Sequence, residues 1–267
     1  MTIQRKFDAL RAKLREYKCV AVAFSGGVDS SLLLKVAHDE LGENVVAITG
    51  KSPSIPQREL EAVRAFCEVE GVRHLIVETH EFDIEGFDHN PPERCYLCKR
   101  ELLSCIRTAA VEHGVEVILE GSNVDDDGDY RPGSRAVAEM HVESPLRDAG
   151  FTKADIRNLA RQLGLPVWDK PAFACLNTRF AYGDIITPER LIMVDRAEEA
   201  LQDEGFAHVR VRLKDETARI EVPECDIARI VEPEMRLRIV EALKGIGFTY
   251  VSLDLQGYRT GSMNETL

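Results

Sequence analysis

Two groups of residues in this chain carry chemistry beyond that of a packed interior. The first is Ser25-Gly26-Gly27-Val28-Asp29-Ser30-Ser31. Paired glycines let a backbone approach an anion closely and tolerate positive φ. The second group is cysteines: Cys95 and Cys98 in Arg94-Cys95-Tyr96-Leu97-Cys98-Lys99, and Cys175 between Lys170 and Arg179. A C-x-x-C spacing puts two thiolates on one side of a helix start, within reach of one metal. Two cysteines make half a site, so further ligands must come from elsewhere. Cys175 lies in a non-periodic stretch flanked by Lys170 and Arg179, and nearby cations favour the thiolate, which is the nucleophilic and metal-binding form. Cys19 falls in an apolar run, and Cys67 and Cys105 sit among apolar helical neighbours. These read as small core residues. Cys225 has no evident role.

The elements around the first group suit its chemistry. Cys19 to Phe24 reads as a buried strand ending at the double glycine. Leu32, Leu33, Leu34, Val36 and Ala37 recur at helical spacing, and Asp29, Ser30 and Ser31 can cap that helix. A loop from a strand's C-terminal end to a helix N-terminus converges backbone N–H groups and the positive end of a dipole on one point, which suits phosphate. No lysine follows the glycines, so this is not a Walker A loop. The run resembles the pyrophosphate loop of the ATP-pyrophosphatase superfamily, which includes NAD synthetase, GMP synthetase and tRNA thiolation enzymes. The resemblance implies that Ser25, Gly26, Gly27, Asp29, Ser30 and Ser31 bind ATP and release pyrophosphate.

Further strands follow at Asn44–Thr49, Arg73–Val77 and Val115–Leu119, with helices between them. The alternation predicts an α/β fold with a Rossmann-like parallel sheet. Ligands of such sheets sit outside the carboxyl ends of the strands. Thr49 and Ser52 are therefore placed to line an adenosine pocket. Gly121, Asn123 and Asp126, in Gly121-Ser122-Asn123-Val124-Asp125-Asp126, share that edge, where acidic groups can hold Mg²⁺ or bond ribose. Tyr130-Arg131-Pro132-Gly133 reads as a turn. Thr152-Lys153-Ala154-Asp155 is a capping box opening a helix. From Thr187-Pro188 the pattern changes to a helix, two short strands, a helix opened by Pro233 and a last strand. The expectation is a domain over 1–183 and a smaller α+β domain over 184–267. In His208-Val209-Arg210-Val211-Arg212-Leu213 the arginines project from one strand face and form an anion clamp.

Net charge is −12, from 34 basic against 46 acidic residues. A general nucleic-acid binder carries a basic surplus, so nucleic acid is not an expected partner. The N-terminal segment is amphipathic, without the apolar core of a secretory signal, and no apolar run reaches membrane-spanning length. Seven cysteines then read as thiols or ligands in a cytoplasmic protein rather than disulfides.

Five segments together sharpen the resemblance. They are the glycine loop, Gly-Ser-Asn-x-Asp-Asp, Ser144-Pro145-Leu146-Arg147, Lys-Pro-x-x-x-Cys-x-x-x-Arg and Gly257-Tyr258-Arg259-Thr260-Gly261-Ser262-Met263-Asn264. With them, nearly the whole chain is similar to the ATP-dependent sacrificial sulfur transferase family, which serves nickel-pincer nucleotide synthesis for lactate racemase. The resemblance implies a pyridinium dicarboxylic acid mononucleotide as substrate, acyl-adenylate formation, and a homo-oligomer. In single-cysteine members a cysteine at the position of Cys175 gives up its sulfur and is left as dehydroalanine. A three-cysteine subset holds a [4Fe-4S] cluster instead. Cys95 and Cys98 ally this chain with that subset, so the expectation is a cluster on Cys95, Cys98 and Cys175, its sulfide donor left open. Structural Zn²⁺ is the rival for the same thiols. Arg179 is expected beside Cys175 and, with Arg210 and Arg212, at the substrate anion. A cluster-dependent tRNA thiolase is the alternative enzyme.

Overall fold

A computed structural model of the protein describes residues 1–128, 132–171 and 174–259. It falls into two compact units.

The first unit comprises 1–52, 57–84 and 93–173. Its chain runs α1 (Ile3–Leu14), β1 (Val20–Ala23), α2 (Val28–Leu41), β2 (Val45–Lys51), α3 (Gln57–Glu70) and β3 (Arg73–Glu78). It continues through α4 (Arg94–Glu112), β4 (Val117–Leu119), α5 (Pro132–Glu139), α6 (Pro145–Asp148) and α7 (Lys153–Gln162). The strands form one parallel sheet in the order β3-β2-β1-β4, with Val20 opposite Val45 and Val117. Side chains alternate across a strand. Val20 and Val22 accordingly enter one apolar cluster with α1, α2, α3 and α7. Ala21, Val46 and Ile48 enter another with Leu103 and Ile106 of α4. A sheet covered on both faces needs strands that are apolar at every position, which is why β1 and β2 read as unbroken runs rather than alternating ones.

The expected parallel sheet is thus present. Pro132-Gly133 differs from expectation: it opens α5 rather than sitting in a turn, since proline's fixed φ suits a first helical position. Arg131, like Tyr130, lies outside the described residues.

The second unit gathers 53–56 and 85–92 with everything from Ala174 onward. It holds α8 (Pro188–Asp203), β5 (Arg210–Lys214), β6 (Thr217–Glu221), α9 (Glu224–Ile230), α10 (Pro233–Ile246) and β7 (Tyr250–Leu253). β5 and β6 form an antiparallel hairpin, and β7 joins β6 in parallel. Val211 and Leu213 of β5 and Leu191, Val194 and Ala197 of α8 are all buried.

The long C-terminal segment of this unit begins at Ala174, ten residues before the boundary read from the pattern change at 184. The reason is local wiring. Leu176 N–H donates to Ser54 O at 2.9 Å, and Asn90 Nδ2 donates to the carbonyls of Phe180 and Ala181 at 3.1 and 2.7 Å. Cys175 therefore belongs to the second unit, while Cys95 and Cys98 belong to the first.

Candidate functional site

In the first unit, β1 delivers Phe24 to the sheet edge, where its N–H donates to Ile48 O at 2.9 Å. The chain then turns through Ser25, Gly26 and Gly27 into α2. Gly26 has φ +71°, and a Cβ there would lie 2.5 Å from Val63 Cγ1, so only glycine fits. The N-cap of α2 is Gly27, with no side-chain cap. The expected capping by Asp29, Ser30 or Ser31 does not occur, because all three lie inside the helix. Ser30 Oγ instead donates to Gly27 O at 3.2 Å and lies 3.1 Å from Ser25 Oγ, bracing the loop. Ser31 Oγ is buried without a partner among the described residues. An uncapped helix start behind a glycine loop leaves backbone donors directed at an anion.

A second segment packs onto this loop. A Cβ on Gly121 would fall 2.9 Å from Ser30 N and 3.2 Å from Asp29 Cβ, so the chain after β4 lies against the first turn of α2. Asn123 Nδ2 reaches Asp29 Oδ1 at 3.4 Å, and Asp126 accepts from Asn123 N–H at 2.9 Å. Beneath them Glu120 is buried and accepts from Ser144 Oγ at 2.5 Å and Ser122 N–H at 3.1 Å. Burial pushes its pKa up, but Lys99 at 3.8 Å and these hydrogen bonds outweigh that, and the net shift is downward. Glu120 is thus a charged brace under the Gly121 loop.

Two lysines complete the constellation, and sequence reasoning missed both roles. Lys153 Nζ forms an ion pair with Asp29, while Lys153 N–H donates to Asp125 Oδ2 at 2.8 Å. Its signal is the capping box, which by itself reads only as a helix start. Lys170 Nζ donates to Gly26 O at 3.3 Å and pairs with Glu59 at 2.6 Å. The expected adenosine-lining residues divide. Thr49 is buried, its hydroxyl donating to Phe24 O at 2.7 Å and lying 2.9 Å from His74 Nε2, so that hydroxyl joins β2 to its neighbours. Ser52 stands just past the end of β2, half-buried.

Cys95 and Cys98 lie at the start of α4, three residues apart on one face. Cys95 is exposed and Cys98 half-buried, and Arg94 Nη2 lies 3.6 Å from Cys95 Sγ. Among the described residues, no three His, Cys, Asp or Glu side chains gather as a metal-ligating group. Cys67, by contrast, is pushed up to about 12 by burial, which marks a structural thiol.

In the second unit, Arg179 differs from the anion ligand expected of it. It is 1% exposed, and its Nε and Nη2 donate to both oxygens of Glu198, each at 2.8 Å. Its Nη1 lies within hydrogen-bond distance of Ala174 O, Cys175 O and Thr178 Oγ1, at 2.7, 3.1 and 2.8 Å. With the guanidinium committed inside the fold, Arg179 organises the Cys175 segment. Glu198, also fully buried, accepts from Val211 N–H at 3.0 Å and so ties that segment to β5.

Arg210 and Arg212 do share one face of β5, between buried Val209, Val211 and Leu213. Their environments differ. Arg212 pairs with Glu221 through two bonds, at 3.0 and 2.9 Å, and donates to Thr178 O. Arg210 donates to Val209 O at 2.8 Å and lies over the Tyr258 ring at 5.5 Å, with no carboxylate paired to it among the described residues. Burial and then Arg179 push its pKa down, as a counter-anion would reverse. A cleft of about 350 Å³ lined by Arg179, Arg212, Lys214 and Arg219 opens nearby in the same unit.

No helix among the described residues is long and apolar enough to cross a membrane. No family model matches the chain. An uncharacterized protein of Synechocystis is 42% identical to it, over 99% of each chain. Pyridinium-3,5-bisthiocarboxylic acid mononucleotide synthase of Lactiplantibacillus plantarum is 38% identical, over all of this chain and 96% of its own length. A component of the glutamine-hydrolyzing GMP synthase of Thermoplasma acidophilum is 26% identical, over 68% of this chain and 63% of its own. The full-length match and the glycine loop agree, and the chain belongs to the pyridinium-3,5-bisthiocarboxylic acid mononucleotide synthase family of PP-loop proteins.

Proposed function

We propose that this protein is an ATP-dependent sulfur transferase. It adenylates a carboxylate of a pyridinium dicarboxylic acid mononucleotide and converts it to a thiocarboxylate for nickel-pincer cofactor synthesis. The observation that carries the reading is the uncapped start of α2 behind Ser25–Gly27, braced by Gly121, in a chain 38% identical to the synthase. The loop donors hold the β- and γ-phosphates, and Asp29 with Asp126 offers hard oxygen ligands for the Mg²⁺ of the nucleotide. The substrate carboxylate attacks the α-phosphate and expels pyrophosphate. Arg210, with no carboxylate paired to it among the described residues, takes the substrate's phosphate with Arg212. The Cys175 thiolate then displaces AMP to give a thioester. Breaking its Cβ–S bond leaves dehydroalanine at position 175 and the thiocarboxylate.

A second reading keeps Cys95 and Cys98, whose three-residue spacing on a helix face fits two corners of a soft-metal site. With Cys175 as third ligand they would hold a [4Fe-4S] cluster, which supplies sulfide when bound; Zn²⁺ on the same thiols would be structural. Turnover with ATP and a pyridinium dicarboxylate should release AMP and pyrophosphate; ADP and phosphate would overturn both readings. Intact mass decides between them. A chain lighter by H₂S at Cys175 after turnover supports the first. An unchanged mass, with transfer abolished by Cys95→Ala or Cys98→Ala, supports the second.

A further inference from the structure

The carbonyl of Cys175 is held in an unusual way. A carbonyl oxygen has two lone pairs, yet three donors converge here. Thr178 Oγ1 donates at 2.8 Å, Thr178 N–H at 3.1 Å and Arg179 Nη1 at 3.1 Å. The Thr178 amide bond is the ordinary first bond of the 3₁₀ turn at Leu176–Arg179, and a threonine back-bond to the preceding turn is common. The guanidinium is neither. It is buried, charged, fixed by two bonds to Glu198, and it also donates to Thr178 Oγ1 at 2.8 Å. That hydroxyl therefore receives a charge-assisted bond while it donates to Cys175 O, which strengthens its own donation.

We propose that Thr178 and Arg179 form an oxyanion cradle on the Cys175 carbonyl that promotes β-elimination of the Cys175 sulfur, with Glu198 as the positioning residue that aims Arg179. The proposal rests on the sacrificial form of the function above. In that step the Cα–H proton leaves to solvent base, its electron pair becomes the Cα=Cβ bond, and the Cβ–S pair departs with the thiocarboxylate. No oxidant or reductant is needed. Negative charge builds on the Cys175 carbonyl as the proton leaves, and donors already fixed there stabilise it without reorganisation. A good leaving group alone would not explain a buried cation that donates to the carbonyl of the same residue.

The test needs neither ATP nor substrate. A thiol-selective dibromide that bis-alkylates cysteine converts the thiol to a cyclic sulfonium, which eliminates to dehydroalanine in mild base. Peptide mass mapping then follows elimination at Cys175 against Cys225, an exposed thiol of the same unit and an internal reference. The expected rate at Cys175 exceeds that at Cys225 by about tenfold or more, and Thr178→Val and Arg179→Lys each remove most of the excess. Thr178→Val leaves the buried ion pair untouched, so it keeps the test open if Arg179→Lys does not fold. Equal rates at the two cysteines, or an excess that survives Thr178→Val in folded protein, would overturn the cradle. The mass of the wild-type chain after turnover separates the readings. Fast elimination from the sulfonium with no mass loss in turnover refutes the sacrificial reading and not the chemistry of the cradle.

Discussion

The glycine loop at the start of α2 and the Cys175 segment at the start of the second unit are built on opposite principles. The loop is made of backbone: Gly26 at positive φ, and Gly27 as an N-cap with no side-chain cap, where the first amides of a helix lack intrahelical acceptors. The Cys175 segment is made of side chains whose donors are answered internally, Arg179 by Glu198 and by the carbonyls of Ala174 and Cys175. A site that must accept a polyanion keeps its donors free and its shape set by sterics. On the proposed function, a site that presents one sulfur atom fixes the backbone around it by saturation. The two should consequently fail differently when disturbed.

The largest effect on stability is expected at the saturated segment. Arg179→Ala strips the buried Glu198 carboxylate of its two-bond guanidinium partner, and removing one partner of a buried pair costs about 3–5 kcal/mol. Urea denaturation should show that loss. A change below about 1 kcal/mol would mean that the pair is relaxed and the contrast false. Asp29→Asn, at the open loop, should barely alter the melt yet lower pyrophosphate release about a hundredfold, the scale of one lost electrostatic group at a reacting phosphate. Unimpaired release would remove Asp29 from the site.

The next prediction sharpens the comparison within β5. Arg210→Ala should weaken binding of the substrate phosphate by roughly 1.5–3 kcal/mol, read by calorimetry, with the fold intact. Arg212→Ala should weaken it less directly and also destabilise the unit, because Glu221 then loses its two-bond partner. Equal affinities in both variants and the parent would dismiss the clamp.

Legibility of the sequence followed the same division. β1, the glycine turn and α2 were readable because a doubly covered sheet demands continuous apolar strands and a phosphate loop demands glycine, both local requirements. The arginines of β5 were readable as a shared face because strand alternation is local too. Which of them carries a carboxylate was not, since Glu221 reaches Arg212 across the hairpin. Arg179 looked like a ligand for the same reason: Glu198 lies nineteen residues on, in another helix. Lys153 was hidden by its own motif. The domain boundary shifted because Ser54 and Asn90, remote in sequence, hydrogen-bond the segment that follows Cys175.

The smallest expected effect concerns the cap that aims Lys153 at Asp29. Thr152 is the N-cap of α7, its hydroxyl accepting from Asp155 N–H at 3.1 Å, while the Asp155 carboxylate accepts from Thr152 N–H at 3.1 Å. Lys6 pairs with the same carboxylate at 2.6 Å. Lys6 is the leading cause of a lowered pKa, which burial opposes and the Thr152 bonds reinforce, bringing Asp155 from 3.8 to about 2. A carboxyl whose folded pKa lies below its unfolded value binds protons more readily in the unfolded chain. Its stabilisation is therefore complete above the unfolded value near 3.8 and is lost as pH falls toward about 2. Carboxyl-carbon NMR should find Asp155 titrating in that low window. Lys6→Met should move its midpoint upward and destabilise the protein at neutral pH more than at pH values below the folded midpoint. Because the same capping box fixes the residue after Thr152, Thr152→Ala should cost about 1 kcal/mol and loosen the Lys153–Asp29 pair. An Asp155 midpoint at the ordinary carboxyl value would mean that neither Lys6 nor the Thr152 cap holds this carboxylate in its charged form.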